Sequence, residues 1–361
     1  MMNGRRGRRA LVINTAFLGD VALTTPLYRL LAEAGWAVDA LVVPRTAELP
    51  ADSPDLERVI VYDKSNDRGL GALVRLAKSL RGSYDAVLTP HRSARSAILT
   101  HLIRAPLRVG YRPPRTPRPP GFSDPRLRPR FTPLGPLCFN RLVSYRLGIW
   151  EGRRTAELAR GLNLEIPAET PGRLGVAPAD AAWVAGELEE SPRPRVVLFP
   201  GSVWDSKRYP VESWTEAAWR IMEERGAGVV VSGSPAEARA VAGVVDALPG
   251  ARSLWGLDLG GLKALIAAAD LVLCNDSAPL HLAVCLGTPV VAVYGPTDPR
   301  FGFRAPTRHP HRHVFLDDLN CRPCRLRPPR TCPLGHHDCM KKLEPRVISD
   351  AALRLLDEVE R

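Results

Sequence analysis

The sequence predicts an α/β protein made of two parallel-sheet domains, and three observations predict it. From Ala10 to Ile103, apolar runs of strand length alternate with amphipathic runs of helix length. That is the pattern of a parallel sheet with helices on both faces. The same rhythm restarts at Arg195, after residues 163–178, a stretch of three prolines and two glycines with little periodicity. And 361 residues suit two domains of ordinary size.

The elements follow in order. Ala10–Asn14 is a first strand, and a loop over 15–19 leads into a helix over 21–34 with apolar positions at Val21, Leu27, Leu30 and Leu31. Gly35 ends it. Strands follow at 38–43 and 58–62, a helix at 70–80, a strand at 85–89 and a helix at 93–103. Residues 111–136 are rich in Pro and Arg, which forbids regular helix or interior strand. This stretch is a surface loop of extended geometry or a mobile basic flap over an anionic acceptor, and its length favours function. Residues 138–162 read as helical. The second half gives strands at 195–199, 228–232, 252–255 and 271–274, and helices at 211–225, 236–248 and 262–269. Pro345–Val359 is a last helix, long enough to cross back to the first domain. The expected domains are 1–165, a linker 166–178, 179–344 and the helix 345–361, with ligands held between the two halves at the strands' carboxyl ends.

Composition excludes several classes. Hydrophobic residues make up 45% and charged residues 24%, so the chain is a folded protein and not a disordered one. A net charge of +12 suits an anionic partner such as a nucleotide, a nucleic acid or an acidic membrane surface, and it equally suits a soluble enzyme rich in Arg. Aromatics at 6% are too few to build stacking platforms for single strands, so nucleic acid is not the expected partner. The basic start, Arg5 to Arg9, is followed by an apolar run that Asn14 and Asp20 interrupt, with no cleavage pattern after it. No run is long enough to span a bilayer. A cytoplasmic location is expected.

Four stretches carry chemistry. Asn275-Asp276-Ser277-Ala278-Pro279-Leu280-His281 stands where a buried strand turns into a helix. The first N–H groups of a helix lack internal partners and its dipole is positive there, so Asp276, Ser277 and Ala278 mark a phosphate seat. His281, one turn on, is a ligand contact or a core histidine. Asn275-Asp276-Ser277 formally matches a glycosylation acceptor, which a cytoplasmic chain would not use. Gly201-Ser202 and Lys207 lie in the loop after the first strand of the second half, small donors and a cation suited to a diphosphate that gains charge as it leaves. Thr288 to Val293 supplies a further strand and Tyr294 to Pro299 a wall loop. Gly19-Asp20 follows the first strand. Gly19 permits a tight turn, and Asp20 is a helix N-cap or a general base. No Walker A, dinucleotide fingerprint or His-Glu-x-x-His is present. Of seven cysteines, Cys321, Cys324, Cys332 and Cys339 cluster late. They are a structural zinc or iron site, with His336 and His337 at hand, or reduced thiols, or two adventitious disulfides; metal is the reading preferred.

Together, Gly19-Asp20, the Ser202 to Lys207 loop, Asp276 to Ala283, Tyr294-Gly295-Pro296-Thr297-Asp298-Pro299 and the segment ending Cys332 to Met340 resemble the ADP-heptose heptosyltransferases of lipopolysaccharide synthesis, glycosyltransferase family 9. The resemblance spans nearly the whole chain. It implies a GT-B architecture of two Rossmann-like domains facing a cleft, and inverting transfer from a nucleotide sugar with no cofactor needed for catalysis. Asp20 is then the base. Gly19, Gly201, Ser202 and Lys207 hold the diphosphate side, and Asp276, Ser277, Ala278 and His281 line the donor. ADP-heptose is the implied donor and a lipid-linked glycan at the cytoplasmic face of the inner membrane the implied acceptor. Many relatives carry Gly where this chain has Ala278. Two rival readings stand beside this one: a sugar-nucleotide epimerase on the same two-domain fold, and a basic metal-knuckle binder of nucleic acid.

Overall fold

The computed structural model describes residues 7–64, 69–114, 124–168 and 170–360. The chain divides into two units, Met1–Ser123 with Arg128–Gly175, and Asp124–Leu127 with Val176–Arg361.

The first unit runs β1 (Arg9–Ile13), α1 (Leu18–Ala22), α2 (Thr25–Glu33), β2 (Ala37–Val42), β3 (Arg58–Val61), α3 (Leu70–Leu80), β4 (Ala86–Leu88), α4 (Ala94–Ile103), β5 (Leu107–Arg112), α5 (Gly135–Cys138), β6 (Arg141–Ser144) and α6 (Glu151–Ala156). Its six strands form one sheet in the order β3-β2-β1-β4-β5-β6, parallel at every pairing. The central strands β1, β2 and β4 are buried almost throughout, as expected where helices cover both faces, whereas the edges β3 and β6 are half-exposed.

The helix expected over 21–34 is two helices. Pro26 has no N–H to give to the preceding turn. At the break, Thr24 Oγ1 donates to the Asp20 carbonyl at 2.8 Å and accepts from Asn14 Nδ2 at 2.7 Å. Gly35 ends α2 with φ +77°, the left-handed geometry its place requires. The helical reading of 138–162 is corrected more heavily. Only α6 and the 3₁₀ turn after it are helical, and β6 adds an edge strand. Asn140 fixes that edge: its Oδ1 accepts the Arg108 N–H at 2.8 Å and its Nδ2 donates to the Pro106 carbonyl at 2.7 Å. Of the Pro/Arg-rich stretch, residues 115–123 lie outside the described residues, as do Arg5 and Arg6 of the basic start. Its described turn, Pro125–Leu127, belongs with the second unit, where the Leu326 N–H reaches the Arg126 carbonyl at 3.5 Å. Much of the expected linker is docked on the first unit. Arg173 is ion-paired with Asp55, and a Cβ at Gly175 would fall on the Asp52 carbonyl.

The second unit runs α7 (Pro178–Glu187), β7 (Arg195–Phe199), α8 (Val211–Arg225), β8 (Gly228–Gly233), α9 (Pro235–Asp246), β9 (Arg252–Trp255), α10 (Leu259–Ala267), β10 (Leu271–Asn275), α11 (Ala278–Leu286), β11 (Val290–Val293), β12 (His311–Val314), α12 (Asp338–Lys341) and α13 (Pro345–Val359). Its sheet is also parallel, in the order β12-β11-β10-β7-β8-β9. Helix α13 stays with this unit instead of crossing back. Ile348, Ala351, Ala352, Leu355 and Leu356 recur at the spacing of one helix face and join the core that holds Trp214, Ala218 and Ile221 of α8. Each buried leucine or isoleucine contributes about 1.5–3 kcal/mol. Among the described residues, no helix is long and apolar enough to cross a membrane.

Candidate active site

In a parallel sheet, ligands bind where strand order reverses and the loops above adjacent strands diverge. The first unit reverses between β1 and β4, the second between β7 and β10. Every residue predicted for the chemistry, apart from the cysteines, lies in a loop or at a helix start at one of these two points.

In the first unit, Asn14 organises the loop after β1. Its Nδ2 donates to the Asp20 carbonyl at 3.1 Å, and its Oδ1 accepts the Ala16 N–H at 3.2 Å. Asp20 is not an N-cap. It sits in the first turn of α1, half-buried, and its Oδ2 accepts the Phe17 N–H at 3.2 Å, the backward half of a capping box. Gly19 beside it is buried. Thr15 joins this loop to the one after β4 by a 3.0 Å bond between its Oγ1 and His91 Nδ1. Lys64 Nζ donates to the Thr15 carbonyl at 2.6 Å, and burial, with Arg45 and Arg95 nearby, lowers its pKa. The base candidate thus lies in a basic neighbourhood.

In the second unit, Lys207 and Asp276 form the centre. Lys207 Nζ donates to Asp276 Oδ2 at 2.6 Å and to the Asp276 carbonyl at 3.0 Å, and Thr297 Oγ1 donates to the same Oδ2 at 2.6 Å. Burial pushes the Asp276 carboxyl up, but Lys207 beside it and the hydrogen bonds of Lys207 and Thr297 hold it below the usual range. Asp276 Oδ2 is therefore committed to Lys207 and Thr297, and it positions Lys207. Ser277 and Ala278, in contrast, are half-exposed at the start of α11, and Ser277 makes no side-chain cap to the first turn. His281 is buried. Burial first, opposed by Asp276, brings its imidazole down to about 4, so the ring is neutral near pH 7 and its Nδ1 has no hydrogen-bond partner.

Gly201 lies under Glu237, whose carboxyl a Cβ would meet at 2.5 Å. Ser202 is buried and used within its own loop: its Oγ accepts the Trp204 N–H at 3.3 Å and its carbonyl accepts Arg208 Nε at 2.7 Å. Sequence reasoning missed the role of Asn275. Its Nδ2 donates to the carbonyls of Pro200 and Gly201 at 2.9 and 3.0 Å, and its Oδ1 accepts the Tyr209 N–H at 3.0 Å, so one buried amide ties the two loops of the site. An uncharged polar residue ending an apolar strand was the available signal.

The four cysteines are free thiols that sense one another. Burial first, then the neighbouring thiols, raise Cys324, and Cys339 is pushed up to about 12. Among the described residues, no group of three or more His, Cys, Asp or Glu is placed to hold a metal ion, so no zinc or iron site on Cys321, Cys324, Cys332 and Cys339 is shown. Protein groups secure the segment. The Arg322 guanidinium donates to the carbonyls of Gly295, Leu316 and Thr297, and the Cys324 N–H donates to Pro296 at 2.9 Å. Ser206 donates through its Oγ to the Pro329 carbonyl at 2.6 Å and through its N–H to Arg330 at 2.8 Å, and His337 Nε2 lies 2.8 Å from the Ser206 carbonyl. The cysteine segment thus grips the loop that carries Lys207 and the loop that carries Thr297.

Comparison with known proteins agrees with this geometry. The family model described as glycosyltransferase family 9 (heptosyltransferase) matches residues 145–334, more than half of the chain. The lipopolysaccharide heptosyltransferase 2 of Escherichia coli (strain K12) is 28% identical over 322 residues, covering 85% of this chain and 88% of its own. A solved glycosyl transferase family 9 protein from Veillonella parvula DSM 2008 aligns with a TM-score of 0.81 at 20% identity, covering 97% of this chain and 98% of its own. The structure of E. coli ADP-heptose lps heptosyltransferase II aligns with a TM-score of 0.76 at 22% identity, covering 98% and 100%. The two parallel sheets have the GT-B fold of these neighbours, and the chain belongs to glycosyltransferase family 9, the heptosyltransferases.

Proposed function

We propose that this glycosyltransferase moves heptose from ADP-heptose onto a lipopolysaccharide core or related lipid-linked glycan at the cytoplasmic face of the inner membrane. The observation that carries the reading is the Lys207–Asp276–Thr297 set placed beside the half-exposed start of α11. Lys207 and the helix end meet the diphosphate, and preorganised donors of this kind are worth roughly 3–4 kcal/mol each. Ser277 and Ala278 line the donor through the backbone, which an alanine serves as well as a glycine. Gly201, Ser202, Asp276 and His281 shape the seat from beneath it.

The first unit supplies the base. Asp20 takes the proton of the acceptor hydroxyl as its oxygen attacks the anomeric carbon; the bond to the diphosphate breaks, ADP leaves, and the configuration inverts. The cap to Phe17 holds the carboxylate in place.

The test is incubation of the full chain with ADP-heptose, with and without heptose-free lipopolysaccharide core. The expected result is ADP and heptosylated core only when both substrates are present. Conversion of the donor without acceptor would instead identify an epimerase, and release of ADP at equal rates with and without core would end the reading.

A further inference from the structure

The aromatic corner beyond β4 holds two guanidinium groups that differ in one respect. Arg154 lies 4.3 Å from the Tyr145 ring centre and Arg92 lies 4.6 Å from it. Arg154 is fully engaged. It is ion-paired with Glu151, and it donates to the carbonyls of Arg146 at 2.6 Å and Ile149 at 3.1 Å and to the Tyr145 hydroxyl at 3.0 Å. Arg92 is not. Its Nη1 is buried without a hydrogen-bond partner, and it makes no ion pair among the described residues. Its guanidinium carbon packs against two rings that stand at 82° to one another, 4.6 Å from the Tyr145 centre and 5.3 Å from the Phe131 centre.

This arrangement is costly unless something completes it. A buried donor left unpaired costs about 1–3 kcal/mol, and the positive charge of Arg154 adds repulsion. Packing between two rings limits the rotation of a guanidinium, and a guanidinium's fork of N–H groups binds a planar anion in bidentate fashion. The place fits as well. Arg92 follows His91, which is bonded to Thr15 in the loop that leads to Asp20, at the point where strand order reverses. We propose that Arg92 is an anion seat of the first unit and that it reads a carboxylate or phosphate group of the acceptor. The proposal rests on the reading that this unit takes the acceptor.

The experiment uses the full chain with ADP saturating, so that the second unit's seat is filled. Thermal midpoints are titrated with inorganic phosphate and, separately, acetate at constant ionic strength, for wild type, R92Q, R92K and the exposed control R141Q. Wild type and R141Q should be stabilised. R92Q should need at least fivefold more of one or both anions for the same shift, and the anion affected names the group that is read. R92K keeps the charge without the fork and should need at least threefold more, which decides the matter should R92Q not fold. Unchanged anion responses in R92Q and R92K overturn the proposal, as does a lowered midpoint in R92Q with an unchanged anion response. ADP affinity, measured on the same samples, reports the donor site independently, so failure of the anion seat and failure of the transferase reading are told apart.

Discussion

Replacing Lys207 with Met should convert Asp276 from a clamp into a buried liability whose cost depends on pH. Asp276 is 4% exposed and Lys207 17%, and breaking such a pair costs about 3–5 kcal/mol because one charge stays buried. Thr297 still donates to the carboxylate, which favours the lower end. Protonation limits the penalty. Holding a carboxyl neutral costs about 1.4 kcal/mol for each pH unit above its unfolded value near 3.9, hence about 5 kcal/mol at pH 7.5 and about 1.5 at pH 5. In wild type, the depressed pKa of Asp276 gives stability that is present above the unfolded value and lost as pH falls through the folded one. In the variant the folded pKa is raised, so the penalty relative to wild type shrinks on acidification. The assay is urea unfolding followed by tryptophan fluorescence at pH 7.5 and 5.0, each variant against wild type at the same pH. The double variant K207M/D276N should recover most of the stability and none of the ADP affinity, which falls about 10–100-fold when a charge-assisted bond is lost. A penalty below 1 kcal/mol at pH 7.5, or one equal at both pH values, would refute the reasoning.

Asp20→Asn keeps an acceptor for the Phe17 N–H and removes the base. Transfer should fall by about 10²–10⁴ with ADP affinity unchanged, and activity above a tenth of wild type would remove Asp20 from that role. Burial holds His281 and His309 near about 4 and His313 near about 3. The unfolded chain, with histidines near 6.5, therefore binds protons first, and stability is full above that value and falls as pH drops toward 4, by about 3 kcal/mol per histidine. Chemical denaturation from pH 8 to 4 should show that slope, and H309Q should flatten it; equal slopes would exclude His309. R322Q removes the donor to three carbonyls and should weaken ADP about tenfold, with faster amide exchange over residues 293–300. Lower stability with unchanged ADP affinity would confine Arg322 to a structural role.

The sequence reveals what is periodic and buried, and hides what is held by a single contact. Strands β1, β7 and β10 read as apolar runs because both their faces are covered. Helix α13 reads from its spaced aliphatics. β5, β6 and β12 were missed because charge breaks their apolar signal: Arg108 and Arg112 in interior β5, Arg141 in edge β6 and His311-Arg312-His313 in edge β12. The 21–34 helix was joined across Thr24 because the pattern counts apolar faces and does not see the Asn14–Thr24 bond. At the sites, position at a strand-to-helix turn was legible, and direction was not. Asp276 and Ser277 are neighbours in sequence, yet one faces the core and the other is half-exposed. The cysteine spacing suggested a metal knuckle. The contacts that fix that segment among the described residues include guanidinium to carbonyl, which no spacing encodes.

An acidic residue at a diphosphate seat looks self-defeating, since a free carboxylate there would repel the ligand. Its burial resolves the difficulty. Paired with Lys207, Asp276 adds no net charge, and the pair's value lies in direction. An ammonium has three N–H donors. Two are taken by the Asp276 carboxylate and carbonyl, which leaves one, aimed by the other two. Beside it, the start of α11 contributes roughly half a positive charge, and the neutral His281 adds none. The seat is therefore a set of oriented donors more than a pool of cations. Such a set binds a diphosphate with less dependence on salt than a cluster of exposed lysines would, and it needs no rearrangement when charge moves onto the leaving group. The same logic explains why so much of the second unit converges on two loops. Asn275 ties the Lys207 loop to the end of β10, and the cysteine segment holds the Lys207 loop through Pro329 and Arg330 and the Thr297 loop through Arg322. Donors that act by direction are only as good as the rigidity of what carries them.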